Sequence, residues 1–172
     1  GTTGNNAAWT NNQMSYGDGD GMLMGPTPLA LDVTAHELTH GVTSKTAKLA
    51  YQNESGALNE GISDILAAVC EAHQLGGVSA RTWLIGEDIF TPAPAGDALR
   101  YMADPSADAA LYPPQIGGSR DFYADRYTGT QDNGGVHLNS GIANLAFQLL
   151  VMGGTHPKHK TTFGVPALGV AG

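Results

Sequence analysis

Basic residues are scarce in this chain. Eight Lys and Arg stand against sixteen Asp and Glu among 172 residues, a formal charge of −8. That deficit argues against nucleic acid and against an anionic membrane as partners. There is a single cysteine, Cys70, so no disulfide can close within the chain. It falls in the apolar run Ile62–Cys70 and is expected to be a buried small hydrophobe rather than a reactive thiol. No apolar stretch reaches transmembrane length. There is no initiating Met, basic n-region or signal-peptide core, so the sequence reads as a processed or partial chain. Charged residues are few at 14%, yet 41% of the residues are hydrophobic. That balance suits one globular domain burying about 70% of its unfolded surface and excludes a disordered chain.

Residues 1–28 are rich in Asn, Gly and Asp, and the Gly17-Asp18-Gly19-Asp20-Gly21 run predicts strands joined by a tight turn. A first helix is expected from about Asp32 to Thr46, with Leu31, Ala35, Leu38 and Val42 as its apolar stripe. A second is expected from about Ala57 to Gln74, capped by Asn53-Glu54-Ser55 and ended at Gly76-Gly77. Pro and Gly breaks predict mostly loop over 77–135, and Asn139-Ser140 can cap a third helix through Met152. The stretch 104–120, with its Asp-Pro, Pro-Pro and Gly-Gly pairs, yields no reading.

What stands out against this background is His36-Glu37-Leu38-Thr39-His40. Helix positions four apart share a face, so His36 and His40 can grip one ion. A catalytic zinc takes three protein ligands and leaves a fourth position for water, and Glu37 sits where a carboxylate can accept that water's proton. The third ligand must come from elsewhere. Glu60, twenty positions after His40 on the second helix, is the candidate, and Asp64 one turn later can accept a ligand histidine's other ring N–H. Taken singly, Glu60 and Asp64 would each be read as a solvated helix-surface acid; beside the two histidines, ligation by Glu60 is expected.

Together with Tyr51-Gln52-Asn53-Glu54-Ser55-Gly56-Ala57-Leu58-Asn59-Glu60-Gly61-Ile62-Ser63-Asp64 and Tyr127-Thr128-Gly129-Thr130-Gln131-Asp132-Asn133-Gly134-Gly135-Val136-His137, the motif resembles the thermolysin family of secreted zinc metalloendopeptidases. The likeness runs from Asn6-Ala7-Ala8-Trp9 to Gly153-Gly154-Thr155-His156. It implies an α+β, zincin-like fold: a β-rich segment over 1–31, an active-site helix over 32–46 and a mainly helical lobe over 47–172. It implies one catalytic Zn²⁺ on His36, His40 and Glu60, Glu37 as general base, and Tyr51 and His137 as donors to the forming oxyanion, with Asp132 holding His137. By the same likeness Asn6, Ala7 and Arg100 hold substrate backbone. Val33, Ile85, Ile89 and Leu99 line the pocket for an apolar side chain after the cleaved bond; without the likeness those four are simply core.

The resemblance also places calcium ligands at Asp32, Glu71 and Glu87. However, Thr82 and Leu84 stand where the family pattern has an aspartate and a glutamate, so one Ca²⁺ is expected rather than two, helped by the Leu84 carbonyl. Family catalytic domains extend beyond both ends of this sequence, so it reads as the middle of such a domain, whose missing segments or a partner would complete the fold. The implied protein is secreted and acts on peptides or proteins. Two other readings compete: an impaired fragment that still binds zinc and a peptide or partner, and a zinc aminopeptidase, which requires a site for a free amine that no acidic residue here clearly supplies.

Overall fold

A computed structural model of the chain describes residues 4–92 and 96–169. It divides into two compact units, one of Gly1–Leu49 with Ile62–Arg100, the other of Ala50–Gly61 with Tyr101–Gly172.

The first unit opens on an antiparallel hairpin of β1 (Ala7–Thr10) and β2 (Gln13–Tyr16), with Ala7 opposite Tyr16 and Thr10 opposite Gln13. Its turn is Asn11-Asn12, both at positive φ (51° and 60°). This is the left-handed pair a two-residue hairpin needs, which asparagine tolerates. The expected turn at Gly17–Gly21 is instead a loop beyond the hairpin. There the Asp20 carboxylate accepts the N–H groups of Met22 and Leu23 at 2.8 Å and of Met24 at 3.2 Å.

Helix α1 (Leu31–Lys45) follows, close to its expected bounds but turned about its axis. Asp32, Val33, His36, Glu37, Thr39 and Thr43 are buried, while Leu31, Leu38 and Val42 of the expected apolar stripe are exposed, the last two by about half. The polar face can lie inward because its groups find partners there. Asp32 accepts N–H groups of Val33 and Gly86, and Glu37 accepts one from Trp9. Gly41 explains the helix's fit to β1: a methyl group there would lie 2.8 Å from the Trp9 indole, so only glycine lets the ring lie on the helix. Met24, Ala30, Val33, Ile89 and Phe90 form the unit's apolar core, with Ala7 and Leu99 against it.

Helix α2 (Asn53–Leu75) begins four residues earlier than expected. Its buried positions include Ala57, Glu60, Ser63, Asp64, Ala67, Ala68, Glu71 and Ala72. They recur at the three- and four-residue intervals of one helix face, but that face is small and acidic rather than aliphatic. Cys70 lies off the stripe and is exposed, against the expectation of burial, as are Leu66 and Val69 of the same apolar run. Two short strands, β3 (Leu84–Ile85) and β4 (Arg100–Tyr101), pair in the stretch expected to be loop.

In the second unit, α3 spans Asp132–Met152, seven residues ahead of the expected cap at Asn139. Its first four residues are left-handed, with φ of 52°, 50°, 85° and 82° at Asp132, Asn133, Gly134 and Gly135. The regular helix therefore starts at Val136. Residues 104–120 now have a structural account. Pro105–Leu111 is a 3-10 helix, Asp108 accepts the Ser119 N–H (2.7 Å) and hydroxyl (2.5 Å), and Arg120 donates to the carbonyls of Ile116 and Gly118. This clasped loop packs on α3 at Gly141, where a methyl group would lie 2.6 Å from both Pro105 and the Arg120 carbonyl. No helix among the described residues is long and apolar enough to cross a membrane.

Candidate metal centre

The spacing of His36 and His40 on α1 sets their rings edge to face, with centroids 4.7 Å apart and the two Nε2 atoms 3.0 Å apart. Each ring's other nitrogen is held from α2. His36 Nδ1 lies 2.8 Å from Asp64 Oδ1, and His40 Nδ1 lies 3.2 Å from the Ser63 hydroxyl. An Nδ1–H that donates to a carboxylate or hydroxyl leaves Nε2 with its lone pair, the form that binds metal. Ligand atoms of His36, His40 and Glu60 all lie within 4.8 Å of one another, the one such three-residue group among the described residues. Two imidazoles and a buried carboxylate are the donor set of a three-ligand zinc site, so these residues fit the ion.

Asp64 is wholly buried between two cationic or polarised partners. Arg100 donates from Nε to Oδ2 (2.8 Å) and from Nη2 to Oδ1 (2.6 Å), while His36 takes Oδ1 as well. Burial raises the pKa of this carboxyl, but the charges of Arg100 and His36 and their hydrogen bonds outweigh it and hold the group well below the ordinary carboxylate range. Arg100, expected at substrate backbone, is thus also the ionic partner of Asp64.

Glu37 is buried beside His36, and its Oε2 accepts the Trp9 N–H of β1 at 2.9 Å. A strand thereby fixes one carboxylate oxygen of a helix residue. The neighbouring β1 residue Ala7 is half-buried and Asn6 exposed, its carbonyl accepting the Gly17 N–H at 2.9 Å. Of the expected pocket residues, Val33, Ile85 and Ile89 are buried core and Leu99 packs against them in part.

In the second unit the left-handed residues before Val136 return the chain so that one carboxylate does two jobs. Asp132 Oδ2 accepts the His137 N–H at 2.8 Å, capping the helix, and Oδ1 lies 2.6 Å from His137 Nδ1. The ring's Nε2 is 3.2 Å from the Tyr51 hydroxyl and 3.5 Å from Glu60 Oε1, and that hydroxyl also donates to Glu60 Oε1. Asn53, at φ 53°, fits against the left-handed turn so closely that a methyl group at Gly134 would lie 2.1 Å from its side-chain oxygen. Gly134→Ala is therefore expected to lose at least about 1–2 kcal/mol from the left-handed backbone alone. A thermal or urea denaturation series reads it, and a variant as stable as the parent would refute the strain.

The expected calcium ligands gather at the other end of α2. Asp32 accepts N–H groups of Val33 and Gly86, and burial raises its pKa. Glu71 is buried and Glu87 half-buried, and Arg81 reaches both, its Nε lying 2.9 Å from Glu71 Oε1 and 3.0 Å from Glu87 Oε1. Burial first, then the charges of Asp32 and Glu71, push the Glu87 carboxyl up to about 8. Glu71 Oε2 and both Glu87 carboxylate oxygens are buried and accept no hydrogen bond among the described residues, which leaves acceptors for a cation, although the ligand atoms here do not converge within 4.8 Å as those of His36, His40 and Glu60 do. Leu84, whose carbonyl was expected to help, is half-buried in β3.

Sequence reasoning missed four participants. Ser63 was legible, since it lies three positions after Glu60 on the same helix face; Arg81 stood next to the already noted Thr82. The Trp9 N–H carried no signal, because backbone donors have no residue identity. Asn53 was read only as a cap.

Comparison with known proteins agrees with this geometry. The family profile described as thermolysin metallopeptidase, alpha-helical domain, matches residues 47–169, and that of the thermolysin metallopeptidase catalytic domain matches residues 1–44. A bacillolysin of Brevibacillus brevis is 55% identical over 152 residues, which is 88% of this chain and 26% of that protein. A thermolysin of Alicyclobacillus acidocaldarius subsp. acidocaldarius is 52% identical over 166 residues, 96% of this chain and 27% of that protein. The chain thus spans about a quarter of the length of these relatives. Among solved structures, the precursor of protealysin, a metalloproteinase from Serratia proteamaculans, superposes with a TM-score of 0.76 at 40% identity, covering 87% of this chain and 47% of that one. With one profile matching well over half of the residues, the chain belongs to the thermolysin family of metallopeptidases.

Proposed function

We propose that the protein of which this chain is part is a zinc-dependent endopeptidase that hydrolyses peptide bonds before apolar residues. The observation that carries the reading is the convergence of His36, His40 and Glu60 ligand atoms within 4.8 Å, beside a buried Glu37. When bound, zinc supplies a Lewis acid for the peptide carbonyl and lowers the pKa of a coordinated water towards about 7.

The chain's own residues do the rest. Asp64 and Ser63 hold the histidine tautomers. Glu37, steadied at Oε2 by the Trp9 N–H, takes a proton at its other oxygen and passes it to the leaving amine. Tyr51 and a doubly protonated His137 donate hydrogen bonds where negative charge develops on the substrate oxygen; Asp132 accepts the Nδ1–H and favours the imidazolium, whose Nε2–H then faces that oxygen. Asn6 and Ala7 offer backbone and side-chain amide groups to an extended peptide, and Arg100 adds its guanidinium. Val33, Ile85, Ile89 and Leu99 supply the apolar surface behind the preference for the residue after the cleaved bond. Calcium at Asp32, Glu71 and Glu87, with the Leu84 carbonyl, is the structural ion we propose beside the catalytic one. Secretion and a peptide or protein substrate follow from the same reading.

The test is cleavage of a peptide blocked at both ends, run with zinc stoichiometry on the same sample. We expect one zinc per chain and cleavage that a chelator stops and added zinc restores. Cleavage only of peptides with a free amino terminus would favour an aminopeptidase. Zinc binding without any cleavage would leave a metal- and peptide-binding fragment.

A further inference from the structure

We propose that Arg81 is an internal cation of the Asp32, Glu71 and Glu87 cluster, limiting it to a single Ca²⁺. The inference rests on the reading that this cluster takes calcium, and goes beyond it in assigning one of the cluster's positive charges to the chain itself.

The guanidinium hydrogen-bonds two carboxylates, Glu71 and Asp88, and lies within ion-pair distance of a third, Glu87. Its Nε lies 2.9 Å from Glu71 Oε1 and 3.0 Å from Glu87 Oε1, and Nη2 donates to Asp88 Oδ2. The Arg81 side chain is 42% exposed, whereas those of Glu71 and Glu87 are 5% and 8% exposed, so the arginine covers the cluster on its solvent side. Beneath it, Glu71 Oε2 and Glu87 Oε2 are buried without a hydrogen-bond donor among the described residues. Buried carboxyl oxygens with no donor take up either a proton or a counter-ion, so one arginine leaves room for a cation in the cluster. Charge counting says how many more cations fit. With every carboxyl deprotonated, as a bound cation requires, Asp32, Glu71, Glu87 and Asp88 bring four negative charges and Arg81 one positive, leaving −3. One divalent ion brings the cluster to −1; a second would overshoot to +1, with the guanidinium pressed against it. Calcium affinity follows the number of uncompensated ligand charges, so the arginine also weakens the first ion's binding.

The experiment titrates calcium into the zinc-loaded chain by isothermal calorimetry, with thermal midpoints in calcium and in a calcium-selective chelator, for the parent, Arg81→Gln and Arg81→Lys. The parent is expected to bind one Ca²⁺. Arg81→Gln should bind calcium about tenfold more tightly or gain a second ion. It should also become more dependent on calcium for its thermal midpoint, and Arg81→Lys should stay close to the parent. Two ions bound by the parent would overturn the proposal whatever the variants do, as would unchanged affinity and stoichiometry in Arg81→Gln. If the parent binds none and Arg81→Gln binds one, the arginine takes the ion's place, which overturns both the single-ion proposal and the reading that the natural cluster holds calcium. If neither binds, both fall. Should Arg81→Gln fold only with calcium present, that dependence is itself the predicted outcome.

Discussion

Glu37→Gln is expected to lower peptide turnover roughly 100- to 10,000-fold while leaving zinc content at one per chain. The substitution keeps the side chain's shape and its capacity to accept the Trp9 N–H, which holds Oε2 at 2.9 Å. It removes only the ability to take a proton. Because Glu37 is not among the three converging ligand residues, metal binding should survive, and this separates a lost base from a lost ion. The loss should appear in kcat rather than in KM, since an amide of the same size leaves the peptide's contacts unchanged. A variant retaining full turnover would refute the role assigned to Glu37, whereas one without zinc would mean that the carboxylate also shapes the metal centre.

Asp64→Asn is expected to act on both the ion and the fold. The aspartate holds the His36 tautomer, and outer partners of this kind contribute about 10- to 100-fold to metal affinity. It is also wholly buried against the Arg100 guanidinium, which is itself mostly buried. Removing one partner of a buried pair costs about 3–5 kcal/mol, since the other charge stays behind without compensation. Zinc affinity by competition with a chromogenic chelator and urea unfolding of the zinc-loaded protein read the two effects separately. The pH dependence follows from the direction of the pKa shift. Arg100 and His36, overcoming burial, hold the folded carboxyl below its unfolded value of about 3.9. The stability this group contributes is therefore fully present above that value and is lost as pH falls through the lower folded one. In the parent, acid unfolding should include a step below about pH 4 that Asp64→Asn lacks. Equal stability and zinc affinity in parent and variant would remove Asp64 from the site.

The converging His36, His40 and Glu60 were legible because the four-residue interval of His36 and His40 maps directly onto a helix turn, and Glu60 and Asp64 repeat that interval on the next helix. What the pattern could not supply was the orientation of α1. Reading Leu31, Ala35, Leu38 and Val42 as the inner stripe assumes that apolar residues outbid polar ones for burial. Here hydrogen-bonded His36, Glu37 and Asp32 hold the inner face instead. The same assumption misplaced Cys70. The hairpin turn was misassigned because Gly17–Gly21 is the stronger turn signal, while two asparagines made the tighter turn. The left-handed run at Asp132–Gly135 did have a signal in its Asp-Asn-Gly-Gly composition, but local composition does not tell a loop from a turn that aims a histidine.

The small, acidic inner face of α2 makes the fold's strength a property of its surroundings. Where another helix of this length would be anchored by leucines, this one buries Glu60, Asp64 and Glu71, carboxyl groups that need partners. Anything that binds the folded chain alone stabilises it by mass action, in proportion to the logarithm of its free concentration. With the proposed zinc and calcium as those ligands, free metal would act as a thermostat: the same chain would be sturdy in a metal-replete medium and slack in a depleted one, with no residue changed.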